Sequence, residues 1–160
     1  MTFVAALIIA LAVSMTYGEY KKKREARLLC EEEMLHLLTH FKKEIICFCR
    51  PTLDALLDFQ PKSGLVRDFL MRTREGEGMR CAFINAEKSH PVSKKAREII
   101  TRYLEGVGKE YLASEIERVA DAEKEFSEYF AIEAAECERS LQIYKALALA
   151  ISLGIILLVI

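Results

Sequence analysis

The two ends of this 160-residue chain carry no charged side chain, since the first is Glu19 and the last is Lys145. All 23 Lys and Arg residues and all 24 Asp and Glu residues therefore fall between those two positions. Long uncharged apolar runs need lipid, while the middle still holds enough Leu, Ile, Val and Phe to build a core. That distribution excludes an ordinary soluble enzyme domain and equally a disordered chain. The formal net charge of −1 argues against nucleic acid as the main partner, because a phosphate backbone selects a basic surface.

Residues 2–18 form the first run, and Lys21, Lys22, Lys23, Arg24 and Arg27 follow it at once. Read as a transmembrane helix with its basic flank kept in the cytoplasm, it places the N-terminal end outside. A cleaved signal peptide has the reverse order, although Ala10-Leu11-Ala12 has the small-residue pattern of a cleavage site. Residues 146–160 form the second run, which crosses back after Arg139 and Lys145. The expected layout is two membrane spans, both ends outside and residues 19–145 in the cytoplasm. At 17 and 15 residues the runs are short against the usual ~20, so Tyr20, Lys21, Tyr144 and Lys145 are expected to extend them by snorkelling. Small residues recur at every fourth position, Ala6, Ala10 and Ser14 in the first run and Ala146, Ala150 and Gly154 in the second. Such a face lets two backbones approach in an antiparallel pair; the alternative is that alanine is simply common in spans.

The middle shows apolar residues recurring at three and four positions and no sustained alternation, so it predicts helices and no strand. The first continues from the membrane through Leu28, Met34, Leu35, Leu38, Phe41, Ile45 and Phe48 until Pro51 ends it. A short second helix spans Thr52 to Phe59. A third carries Leu65, Val66, Phe69 and Leu70 and stops near Glu75-Gly76-Glu77-Gly78. A fourth carries Met79, Phe83 and Ala86. The fifth carries Val92, Ala96, Ile99, Ile100 and Tyr103 and stops at Gly106-Val107-Gly108. From Lys109 no proline or glycine occurs before Gly154, so one long helix is expected to run into the second span. Its stripe is Leu112, Ile116, Val119, Phe126, Phe130, Cys137, Leu141 and Tyr144, with Glu123 and Glu133 at seam positions. A core helix of a bundle and a coiled coil between chains both fit such a stripe. The predicted fold class is all-α, a cytoplasmic six-helix bundle flanked by two transmembrane helices.

Charge is segregated along the bundle. Residues 19–60 hold 8 basic and 8 acidic side chains, residues 61–109 hold 11 and 6, and residues 110–145 hold 4 and 10. Either the two halves complement each other internally, or they form a docking surface. In the second case Arg72, Arg74, Arg80, Lys94, Lys95 and Arg97 are the candidate partner-binding residues, with the acidic last helix as the alternative.

No catalytic constellation emerges. Glu33-x-x-His36, with His40 one turn on, has the spacing used in di-iron bundles, and Glu87-x-x-His90 is a second copy, but Pro91 puts His90 at a helix end. Exposed histidines without a metal are the plainer reading. Cys47-x-Cys49 lacks the two-residue gap of redox and zinc motifs, and the five cysteines are expected to be reduced and to act as small buried apolar residues. Glu75-Gly76-Glu77-Gly78 is acidic and is no phosphate loop. No cofactor is expected. A membrane-anchored metal- or redox-binding bundle remains the alternative to a protein that binds other proteins.

With that outline the chain resembles the stage III sporulation protein AB family of spore-forming bacteria. The likeness runs over essentially the whole chain, from the uncharged first run and Glu19-Tyr20-Lys21-Lys22-Lys23-Arg24, through Lys43-Glu44-Ile45 and Pro51-Thr52-Leu53-Asp54-Ala55-Leu56, to Tyr103-Leu104-Glu105-Gly106-Val107-Gly108. It closes with Tyr144-Lys145-Ala146-Leu147 and Gly154-Ile155-Ile156-Leu157-Leu158-Val159-Ile160. The resemblance implies a non-enzymatic platform component on the mother-cell side of a sporulation channel, similar to the cytoplasmic domain of the inner-membrane platform protein of type II secretion and type IV pilus systems. It implies a partner ATPase, stage III sporulation protein AA, and further channel-complex proteins. Two departures from the family pattern bear on partner specificity: Lys109-Glu110-Tyr111 follows the glycine turn, and the chain has no tryptophan.

Overall fold

The computed structural model describes the backbone of residues 2–108 and 111–159, and the side chains within 11–108 and 111–154. The described residues form six helices and no strand: α1 (Thr2–Phe48), α2 (Thr52–Asp58), α3 (Gly64–Arg74), α4 (Met79–Glu87), α5 (Lys94–Gly106) and α6 (Leu112–Val159). The protein is all-α, and each expected helix is present. Among the described residues no helix is long and apolar enough to cross a membrane. Much of both uncharged runs, with Ala6 and Ala10, lies outside the described side chains.

Local chemistry sets the breaks between helices. Ser63 and Ser93 cap α3 and α5, their hydroxyls accepting from the backbone N–H of Val66 and Ala96 at 3.4 and 3.1 Å. A serine in this place satisfies one of the donors that a helix start leaves open. At the far end of α3, Gly76 takes φ +94°, and Glu77 and Gly76 return their N–H groups to Arg72 and Thr73. This is the glycine-terminated Schellman ending. α1 ends with the same turn of hand on a different residue: Cys49 takes φ +51° and bonds back to the Ile45 carbonyl at 3.1 Å.

The two endings predict opposite responses. Gly76→Ala should lower the unfolding free energy by about 1 kcal/mol, because a Cβ disfavours the left-handed region. Cys49→Gly should raise it by up to about 1 kcal/mol for the same reason. Denaturant unfolding followed by far-ultraviolet circular dichroism measures both, and equal signs for the two would refute this account of the strain.

The chain divides into two compact units, one made of residues 26–132 and the other of 1–25 with 133–160. In the first, apolar stripes of all six helices meet in one core. α1 contributes Met34, Leu38, Phe41 and Ile45, and α6 contributes Val119, Ala122 and Phe126. Phe41 stacks on Tyr103 at 6.0 Å between ring centroids, and Phe69 meets Phe83 edge-on at 5.7 Å. Phe48, expected on the apolar stripe of α1, is exposed; it is the last residue of the helix, beyond the reach of the core.

In the second unit α1 and α6 run antiparallel. Tyr20 packs on Tyr144 at 4.5 Å, and a turn further along α1 Arg24 pairs with Glu133, a residue earlier on α6, at 3.0 Å. Ser14, Ala146 and Ala150 are exposed, and no atom lies within 4 Å of where a Cβ on Gly154 would stand. On α6 of this unit Cys137 is buried, and Glu133, Ala134, Ser140, Leu141, Ala148, Ser152 and Gly154 are partly buried.

Candidate functional site

The most heavily engaged polar groups of the bundle are two carboxylates on α1. Glu31 is fully buried. It accepts from the Ser93 backbone N–H at 2.9 Å and from the Tyr129 hydroxyl at 3.0 Å, and Arg27 lies 3.7 Å away. Since Tyr129 gives its one proton to Glu31, the Ser93 hydroxyl, 2.5 Å off, donates to Tyr129. The result is a closed ring of hydrogen bonds joining α1, α6 and the start of α5. Burial pushes the Tyr129 hydroxyl above its ordinary pKa, against the Ser93 hydrogen bond that lowers it. Glu33 does the same for α3, accepting from the backbone N–H groups of Lys62 and of Ser63, the latter at 2.6 Å. A carboxylate at a helix start is favoured both by the open N–H groups and by the helix dipole. These two anions pin α3 and α5 to α1.

That assignment accounts for the first Glu-x-x-His motif. Glu33 is occupied by backbone donors, and His36 is exposed. His40 Nε2 lies 3.1 Å from the Ala55 carbonyl. In the second copy Glu87 accepts from Arg97, whereas His90 faces Asp68 at 2.8 Å. His90 also covers the first turn of α3, where a Cβ on Gly64 would fall 2.6 Å from its Cε1. The two copies are thus held by different neighbours. Among the described residues no group of three or more His, Cys, Asp or Glu side chains could hold a metal ion. His36 and His40 do share an open cleft of about 400 Å³ with Leu29, Glu32, Asp58 and Phe59.

The six basic candidates for partner binding all meet acceptors of their own chain. Arg72 pairs with Glu77 at 3.3 Å, Arg80 with Glu105 at 3.8 Å, and Lys94 with Glu98 at 3.9 Å. Lys95 pairs with Glu125 at 2.7 Å and Arg97 with Glu87 at 2.5 Å, while Arg74 donates to the Leu57 carbonyl at 3.1 Å. The hydrogen bond from Lys95, and then Arg102, hold the Glu125 carboxyl below its ordinary pKa. A lowered carboxyl contributes stability above the ordinary glutamate range and loses it as pH falls through the lowered value. The two pairs that Glu125 makes with Lys95 and Arg102 join basic α5 to acidic α6, so part of the charge segregation is internal complementarity. The remaining acidic face of α6 includes Glu117, Asp121 and Glu128, all exposed.

The cysteines differ from expectation. All five are free, but only Cys30 and Cys137 are buried; Cys47, Cys49 and Cys81 are exposed. Cys47 and Cys49 stand at the end of α1, where the apolar stripe has run out, and Cys81 lies on the outer face of α4. Burial pushes the Cys30 thiol pKa up.

No protein-family model, no curated protein and no solved structure matches this chain.

Proposed function

We propose that the chain is a non-enzymatic, membrane-anchored platform component of a sporulation-type channel complex, whose helical bundle docks a cytoplasmic ATPase similar to stage III sporulation protein AA. The observation that carries this reading is the antiparallel pairing of α1 and α6 within one compact unit. It brings the described backbone of the two uncharged runs, 2–18 and 146–159, to the same end of one helix pair, as a two-span transmembrane anchor requires. The basic cluster Lys21, Lys22, Lys23 and Arg24 then orients the anchor with the bundle in the cytoplasm and both ends outside. The buried carboxylates support the non-enzymatic part of the reading, because they are occupied in fixing helix starts. Membrane and other channel-complex proteins are the partners on this view, with no nucleic acid.

Reporter fusions near Gly64 should read as cytoplasmic, and an external signal would overturn the topology and the ATPase partner together. Docking is assigned to the basic residues Arg72, Arg74, Arg80, Lys94, Lys95 and Arg97. Reversing Arg97 is a poor probe, because it would leave the buried Glu87 facing a second carboxylate. Arg80 and Lys94, whose side chains are 49% and 89% exposed in loose ion pairs, can be reversed at little cost to stability. Together, Arg80→Glu and Lys94→Glu should weaken ATPase binding by up to about tenfold, mainly through association rate, and added salt should do the same. If neither changes binding while reversal of Glu117 and Asp121 does, the acidic face of α6 is the docking surface.

A further inference from the structure

In the unit formed by the outer parts of α1 and α6, the stacked Tyr20 and Tyr144 mark the level at which the surface changes character. Beyond them, toward the uncharged runs, large apolar side chains are exposed: Leu11 and Met15 on α1, and Leu147, Leu149 and Leu153 on α6. Around the tyrosines, residues 19–25 and 139–145 hold six basic side chains, Lys21, Lys22, Lys23, Arg24, Arg139 and Lys145, against two acidic ones, Glu19 and Glu25. Arg24 is committed within the chain, donating to the Tyr20 hydroxyl at 3.1 Å and to Glu133 at 3.0 Å. Lys21 is held only by a 3.6 Å pair with Glu25, in which both side chains are about half exposed. Lys22, Lys23 and Lys145 are exposed and make no ion pair among the described residues.

We propose that this collar binds the headgroups of anionic phospholipids and selects them over zwitterionic ones; the inference rests on the reading of the α1 and α6 pair as a membrane anchor. Consecutive helical residues turn by about 100°, so Lys21, Lys22 and Lys23 fan over about 200° of the α1 surface. A protein partner meets one face of a helix, whereas headgroups surround it. Lys145, one residue from Tyr144, adds a charge from the second helix at the same level. Tyrosines between exposed apolar and exposed basic side chains have the order of a membrane interface, where amphipathic rings sit at headgroup depth. A lysine there brings a flexible point charge to a lipid phosphate, and next to an anionic leaflet each one strengthens binding roughly fivefold.

The test places the full-length chain in vesicles of phosphatidylcholine and phosphatidylglycerol and follows, by electron spin resonance, each lipid carrying the same acyl-chain spin label. The motionally restricted fraction reports lipid held at the protein. Phosphatidylglycerol should be held up to about fivefold more strongly than phosphatidylcholine, and the ratio should fall toward one as salt rises. Lys21→Gln, Lys22→Gln and Lys23→Gln together should bring it most of the way to one, and adding Lys145→Gln should complete the loss. Lys43→Gln with Lys124→Gln, also exposed but on the bundle, should keep the parent ratio. Alkaline carbonate extraction separates this proposal from the reading it rests on: if carbonate strips the unaltered chain from the vesicles, the anchor fails and lipid selection with it. If the chain stays embedded yet shows a ratio of one, keeps its preference in the quadruple variant, or loses it in the Lys43 and Lys124 variant, lipid selection is overturned and the anchor stands.

Discussion

Replacing Glu31 by alanine should lower the unfolding free energy by about 3–5 kcal/mol, the range for breaking a buried charged pair from one side. Its carboxylate is fully buried, accepts from the Ser93 N–H and the Tyr129 hydroxyl, and forms an ion pair with Arg27 at 3.7 Å. Truncation leaves Ser93 without an acceptor at the start of α5, and each buried polar group stranded in this way costs about 1–3 kcal/mol. Glu31→Gln keeps one carbonyl oxygen and the same shape, so it should recover a good part of the loss. Denaturant unfolding of the two variants measures the difference. A loss below about 1 kcal/mol for Glu31→Ala would show that water replaces the carboxylate, and the ring would then not hold α5.

The sequence carried more of this than its charge suggests. Glu31, Met34, Leu38, Phe41 and Ile45 are separated by three, four, three and four residues, so Glu31 occupies the apolar seam of α1. Glu123 and Glu133 hold seam positions on α6, and each meets a basic residue of α1, Lys42 at 2.7 Å and Arg24 at 3.0 Å respectively. A charged residue in a helical seam is thus a usable signal of a buried or bridging contact in this chain. Helix ends were legible where one residue decides them, as at Pro51 and Gly76. Cys49 was not, because no feature of its neighbours marks a cysteine for the left-handed region. The expectation that the cysteines are buried rests on the habit of the residue type, which gives no information at a helix end or on an outward face. The acceptors that meet the basic residues were hidden too, since Glu87 and Arg97 meet only when α4 and α5 pack.

Phe126→Ala should cost about 3–5 kcal/mol and release the bundle portion of α6. Within residues 112–132 only Val119, Ala122 and Phe126 are buried apolar side chains, and Phe126 is by far the largest. It meets Tyr129 edge-on at 5.8 Å, so the cavity left by truncation would also loosen the tyrosine that closes the Glu31 ring. The other contacts of α6 in this unit are largely charged, including Glu123 with Lys42 and Thr39, and Glu125 with Lys95 and Arg102. These groups are partly exposed, and exposed ion pairs contribute about 0–1 kcal/mol each before screening. Glu123→Ala should therefore cost far less than Phe126→Ala. The loss from Phe126→Ala should also be nearly insensitive to salt, whereas that from Glu123→Ala should shrink as salt rises. If the two variants prove equally damaging, or if the Phe126→Ala loss follows ionic strength, charge holds α6 in place. The segregated residues would then be committed to internal packing, with little left to meet an ATPase.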